Sequence, residues 1–196
     1  MKYEQLHSKI VILNLIVIGV ISLEKTTLTL QEVLRHSNHD LLNDLHLIRM
    51  NLDLDRVDEA KKIIDDIAES CKSYSMTNKL GLTKTALWIQ VFKWRYPAIM
   101  LQLHCDIESP VGQIWDGTIE QYLEKTIIHV YEVLDPYTEH QLTLSIETDD
   151  KGWSITFHLS GKWQMMPISI ENTIFEVKTS EQTDTTWKYV VHHYEE

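Results

Sequence analysis

Arg35-His36-Ser37-Asn38-His39-Asp40-Leu41-Leu42-Asn43 sets the frame for the rest of the chain, with His39-Asp40 at its centre. Upstream, Thr29 and Glu32 have the spacing of a capping box and predict a helix that begins near Thr29. Leu34, Asn38, Leu41, Leu45, Ile48 and Leu52 then recur at alternating steps of four and three. This is the period of a helix with one apolar seam, interrupted by the polar Asn38. At about 100° per residue, His39 projects roughly 140° from the centre of that seam. It is a water-facing histidine rather than a core one.

An exposed imidazole with a carboxylate next in sequence suits nucleophilic attack on phosphorus. A neutral ring attacks through one nitrogen, while a carboxylate keeps the other protonated and stabilises the positive charge that develops. Asn43 follows one turn later, where its amide reaches a phosphoryl oxygen or a water. Leu42 offers a partner protein an apolar contact beside the chemistry.

The pattern His36-Ser37-x-His39-Asp40-x-x-Asn43-x-Leu45-x-Leu47-Ile48-x-x-Asn51-Leu52 resembles the phosphoacceptor hairpin of the sporulation initiation phosphotransferase B family. The likeness runs from about Leu34 to Leu80. It implies that His39 accepts a phosphoryl group from an aspartate of one response regulator and passes it to an aspartate of a second. It also implies that Asp40 assists, and that Arg35, His36, Ser37, Leu42, Asn43 and His46 contact the phosphoryl group or the regulator. Asn38 and Asp44 stand where the resemblance calls for basic residues, which makes the surroundings of a phosphate less positive.

With 196 residues, 43% hydrophobic and 24% charged, the chain has the make-up of a globular protein with one or two small domains. A net charge of -11 argues against nucleic-acid backbone binding as its task. Cys71 and Cys105 show no metal or redox spacing and read as reduced, packed thiols of a cytoplasmic protein. Ile10 to Leu23 is strongly apolar, but as a helix it spans only about 21 Å against a hydrocarbon core of about 30 Å. A helix packed on its own protein or at a dimer end ranks first for this segment. A membrane tether ranks second, and a cleaved signal last, because no small-x-small site follows.

After Leu52, the polar run Asp53-Leu54-Asp55-Arg56 turns the chain. It is not a calcium loop: the sixth position lacks glycine, and the twelfth, Ile64, is not a carboxylate. Val57, Ala60, Ile64, Ile67, Cys71 and Tyr74 repeat at three and four, which predicts a second helix from about Asp55 to Ser75. The two helices form an antiparallel hairpin whose seams are too sparse to satisfy each other. Two hairpins in a homodimer, as a four-helix bundle with His39 outside, are the economical solution. His36 and His39 share a face but lack a third metal ligand, and His192-His193 point to opposite faces of a strand.

From about Leu80 the pattern changes. Helices are expected over Thr83 to Arg95 and Gly117 to Leu134, and strands over Ile99 to Ile107, Leu142 to Ile146 and Trp153 to Leu159. A loop through Met165, Met166 and Pro167 precedes strands near Ile174 to Lys178 and Trp187 to His192. Placed after a histidine hairpin, this order resembles the ATP-binding domain of sensor histidine kinases. A kinase would need an asparagine in the second long helix, an aspartate on the next hairpin and a glycine-rich lid. The helix offers His129 instead, the strand after Phe157 continues His158-Leu159-Ser160-Gly161-Lys162, and only 6 glycines exist.

The expectation is thus an α+β chain in three parts: an apolar segment 1–28, a phosphoacceptor and dimerisation hairpin 29–78, and an α/β sandwich 79–196. The sandwich, including Trp88, Trp94, Trp153 and Trp163 as core, braces the hairpin. The chain is read as a phosphotransferase with no cofactor of its own, Mg²⁺ coming from the regulator. An ATP-dependent kinase and a non-catalytic adaptor are the alternatives.

Overall fold

The computed structural model describes residues 28–165 and 174–194. The apolar run 10–23 and the loop positions Met166 and Pro167 lie outside the described residues. Two compact units divide the chain, Met1–Arg35 and His36–Glu196. The capping box forms as expected: Thr29 N donates to Glu32 Oε2 at 2.8 Å, and Glu32 N donates to Thr29 Oγ1 at 3.2 Å. Helix α1, Leu30–Asp53, follows. Its end is organised by Asn51, which is buried although the seam pattern does not include it. Asn51 Nδ2 donates to Leu47 O at 2.9 Å, and its carbonyl accepts from Arg56 N at 2.8 Å. Asp55 takes the left-handed conformation (φ 57°) that reverses the chain. Helix α2, Val57–Met76, then runs into a 3₁₀ turn, Thr77–Leu80, that closes on left-handed Gly81.

Within the single chain the seam residues Leu41, Leu45, Leu52, Val57 and Ile64 are 47–55% exposed. The far end of the hairpin is better covered: Tyr74 and Met76 pack against the core of the α/β region.

That region contains α3 (Thr83–Arg95), β1 (Ile99–Ile107), α4 (Asp116–Val133), β2 (His140–Asp149), β3 (Gly152–Ser160), β4 (Glu176–Gln182) and β5 (Thr186–Tyr194). The strand order is β1-β2-β3-β5-β4. Strands β1 and β2 are parallel, as a connection through α4 allows, and the other pairs are antiparallel. The expected element order is therefore present. Several boundaries differ: β2 extends beyond the expected Leu142 to Ile146 at both ends, β5 runs on past His192, and β4 begins at Glu176 rather than Ile174 and continues to Gln182, with a register shift between Thr179 and Glu181. It is a polar edge strand with mostly exposed side chains, so it lacks the apolar alternation that marks its neighbours.

Alternate residues of three strands (Leu142, Leu144, Ile146; Ile155, Phe157, Leu159; Trp187, Tyr189, Val191) join Trp88, Ile89 and Phe92 of α3 and Ile119, Leu123 and Ile127 of α4 in one apolar core. Phe175 adds an aromatic edge against Tyr122 (5.1 Å) and Trp153 (5.7 Å). Helices α3 and α4 are also tied by a buried polar knot. Glu124 accepts from Trp88 Nε1 and from Tyr96 Oη, each at 2.7 Å, and pairs with Arg95. Burial first, and then the Glu124 carboxylate, push the Tyr96 hydroxyl far above its ordinary range.

Two expectations are corrected here. Cys71 is exposed rather than packed, because its seam on α2 has no cover within the chain. Cys105 is half-buried, and burial pushes its thiol up to about 11. Trp88, Trp153 and Trp163 are core, but Trp94 is not. It is half-buried and turns from the last turn of α3 toward α1.

Candidate functional site

His39 stands on α1 with its side chain 71% exposed, as its angular offset from the seam requires. By helical geometry Arg35, His36, Leu42, Asn43 and His46 fall within about 60° of it around the axis. Ser37, two residues earlier, lies about 160° away, so it does not join this cluster. Leu42, Asn43 and His46 are exposed; so is Arg35, at the end of the first compact unit.

The imidazole is held from one side. Asn43 Nδ2, one turn on, lies 3.2 Å from His39 Nδ1, a contact with the ring itself rather than with the phosphoryl oxygen or water the sequence suggests. Asp40 Oδ1 lies 3.7 Å from the same nitrogen. An amide turned end for end presents its oxygen in place of its nitrogen, so Asn43 serves Nδ1 as donor or as acceptor. Both contacts fall on Nδ1.

Asp40 is only 35% exposed, because its carboxylate is gripped by α3. Lys93 Nζ stands 2.6 Å from Oδ2, and Trp94 Nε1 donates to the same oxygen at 3.0 Å. Burial alone would raise the Asp40 carboxyl; the hydrogen bonds from Lys93 and Trp94 and the charge of Lys93 outweigh it and hold the group below its ordinary value. Trp94 also stacks on His36, with ring centroids 5.8 Å apart and an interplanar angle of 21°. Sequence reasoning missed Lys93 and Trp94. The aromatic and basic end of Thr83–Arg95 was the available signal, but nothing local says that this end meets α1.

Among the described residues no group of three or more His, Cys, Asp or Glu side chains is placed to hold a metal ion. None of the described helices is long and apolar enough to cross a membrane. In α4 the inward carboxylate, Glu124, is bound by Trp88, Arg95 and Tyr96. The tail histidines diverge as expected: His192 faces Glu176 at 3.6 Å, and His193 packs on Trp115.

The chain thus presents an exposed histidine on the first helix of a helical hairpin, ahead of an α/β region. Residues 22–80 match the model of the sensor kinase SpoOB-type alpha-helical domain. The chain is also similar to sporulation initiation phosphotransferase B of Bacillus subtilis (strain 168). The two are 27% identical over 145 residues, which is 70% of this chain and 73% of the relative. Among solved structures, the histidine kinase AdeS of Acinetobacter baumannii aligns with 80% of this chain and 97% of its own, at 13% identity and a TM-score of 0.42.

Proposed function

We propose that this chain is a histidine phosphotransferase of a sporulation phosphorelay, with His39 as the phosphoacceptor. The observation that carries the reading is the exposed His39 ring, engaged at Nδ1 by Asn43 and faced there by Asp40. The relative's name, sporulation initiation phosphotransferase B, supports the same class of chemistry.

In this reading the Nε2 lone pair attacks the phosphorus of a regulator's aspartyl phosphate. The N–P bond forms as the P–O bond to the aspartate breaks, and the bonding pair leaves with the regulator's carboxylate. Nδ1 keeps its proton, so the phosphorylated ring is cationic and the Asp40 carboxylate stabilises it. The reverse steps deliver the group to the aspartate of a second regulator, with no nucleotide consumed. Mg²⁺ belongs to the regulators' acidic pockets. Leu42, Asn43, His46, His36 and Arg35 form the surface that meets the regulator. The half-exposed seams of α1 and α2 pair with those of a second copy, giving a four-helix bundle in a cytoplasmic homodimer with one histidine on each outer face.

The test is acid-labile phosphate on the full chain mixed with a phosphorylated response regulator, with His39→Ala and ATP-only controls. Label that comes from the regulator, is absent in His39→Ala and does not arise from ATP is the expected result. Label from ATP alone would make the protein a kinase. No label from either source would reduce it to an adaptor.

A further inference from the structure

Residues adjacent in a helix point about 100° apart and do not normally face each other. Asp40 nevertheless lies beside His39, and the reason is outside α1. Its two oxygens have separate tasks. Oδ2 takes both Lys93 Nζ at 2.6 Å and Trp94 Nε1 at 3.0 Å, while Oδ1 is the oxygen 3.7 Å from His39 Nδ1. The two holders are themselves fixed. The Lys93 ammonium stands over the Trp94 ring at 5.1 Å, and that ring stacks on His36. The next residue of α3, Arg95, is paired with Glu124 in the core. The carboxylate beside the phosphoacceptor is therefore aimed by the α/β region.

We propose that Lys93 and Trp94 are positioning residues for the chemistry at His39: by occupying Oδ2 they keep Oδ1 turned to Nδ1, so that, with the Asn43 amide turned to set its oxygen on Nδ1, the ring carries its proton on Nδ1 and its lone pair on Nε2. The inference rests on the proposed function only for what that lone pair attacks. The physical basis is the rule that the partner of one imidazole nitrogen sets the state of the other. Helix α1 carries Asn38 and Asp44 near the histidine rather than basic residues. Lys93 neutralises Asp40, so an incoming phosphoryl group does not meet an uncompensated carboxylate.

The experiment is nitrogen-15 NMR of the histidine rings in the full chain, comparing wild type with Lys93→Met, Trp94→Phe and Lys93→Arg. His39→Gln identifies the His39 signals. The ring of His140, buried and hydrogen-bonded to Lys162 O at 2.7 Å, reports an intact fold. Expected is a predominance of the Nδ1–H form of neutral His39 in wild type. The ratio of the two neutral forms should fall at least about threefold in Lys93→Met and in Trp94→Phe, the effect of a carboxylate no longer held toward Nδ1. It should return in Lys93→Arg. Phosphoryl acceptance in the first two variants should slow roughly tenfold, as for a misplaced catalytic contact, while regulator affinity stays within about twofold. An unchanged ratio in both variants overturns the proposal. So does a rate loss that merely follows lost affinity. If wild type takes no phosphoryl group from any regulator, the proposed function fails, and the ratio of ring forms still decides the positioning role.

Discussion

At the scale of single residues the site is economical: one histidine, one amide and one anchored carboxylate. His39→Gln should abolish acid-labile labelling while leaving regulator binding within about twofold, because glutamine keeps a polar side chain on the docking face. Asn43→Ala removes one of the two Nδ1 contacts and Asp40→Asn takes the charge from the other, and each should slow acceptance by about tenfold to a hundredfold in stopped-flow assays. The pH dependence of stability has a definite sign. The Asp40 carboxyl is held below its ordinary 3.8, so the folded state binds its proton less readily than the unfolded chain does. Its stabilising contribution is therefore full above the ordinary value and disappears as pH falls through the lowered one. The difference in melting temperature between wild type and Asp40→Asn should be constant from neutral pH down to the approach of the ordinary value of 3.8, and should shrink as pH falls below it.

At the scale of elements, two local devices hold the pieces in register. The α1–α2 turn depends on Asp55 at φ 57°, a conformation that aspartate tolerates and β-branched residues do not. Asp55→Val should cost about 1–2 kcal/mol in urea denaturation at fixed chain concentration. The α3–α4 joint depends on Glu124, a 7% exposed carboxylate serving Trp88, Tyr96 and Arg95. Glu124→Ala leaves a buried guanidinium without its partner and two buried donors unsatisfied. It should destabilise the chain by about 3–5 kcal/mol, measured the same way. It should also loosen the end of α3 that carries Lys93 and Trp94.

At the scale of the molecule the hairpin has apolar residues that the chain does not cover. Leu45 at 51% and Ile64 at 49% exposure lie on the seams of α1 and α2. For the proposed homodimer, Leu45→Glu should favour the monomer in sedimentation equilibrium, raising the dissociation constant by at least tenfold, and a wild-type monomer would overturn the pairing of seams. Cys71 gives an independent readout, since it sits on the α2 seam and is exposed in the single chain. It should alkylate slowly in wild type and quickly in Leu45→Glu. Cys105 should stay slow in both, because burial pushes its thiol up to about 11.

The order of elements, the capping box, the extent of α3 and β1 and the outward placement of His39 were all legible in the sequence. Each depends on local spacing: period, caps, or proline after a helix. The polar edge strand β4 was placed less well, since exposure on both faces leaves no period to read. Asn51, polar yet buried, was hidden for the same reason: its burial follows from backbone partners in the turn and not from its type. The candidate site divides along the same line. His39, Asp40 and Asn43 are neighbours in one helix, so their residue types and spacing declare them. Lys93 and Trp94 lie 54 positions or so from Asp40, and only the packing of α3 against α1 brings them to its carboxylate. The amino-acid sequence by itself determined which histidine faces water and which groups share its face of the helix, because helical periodicity is a short-range property. The tertiary structure alone decided what holds Asp40, because contacts between distant segments depend on how whole elements pack.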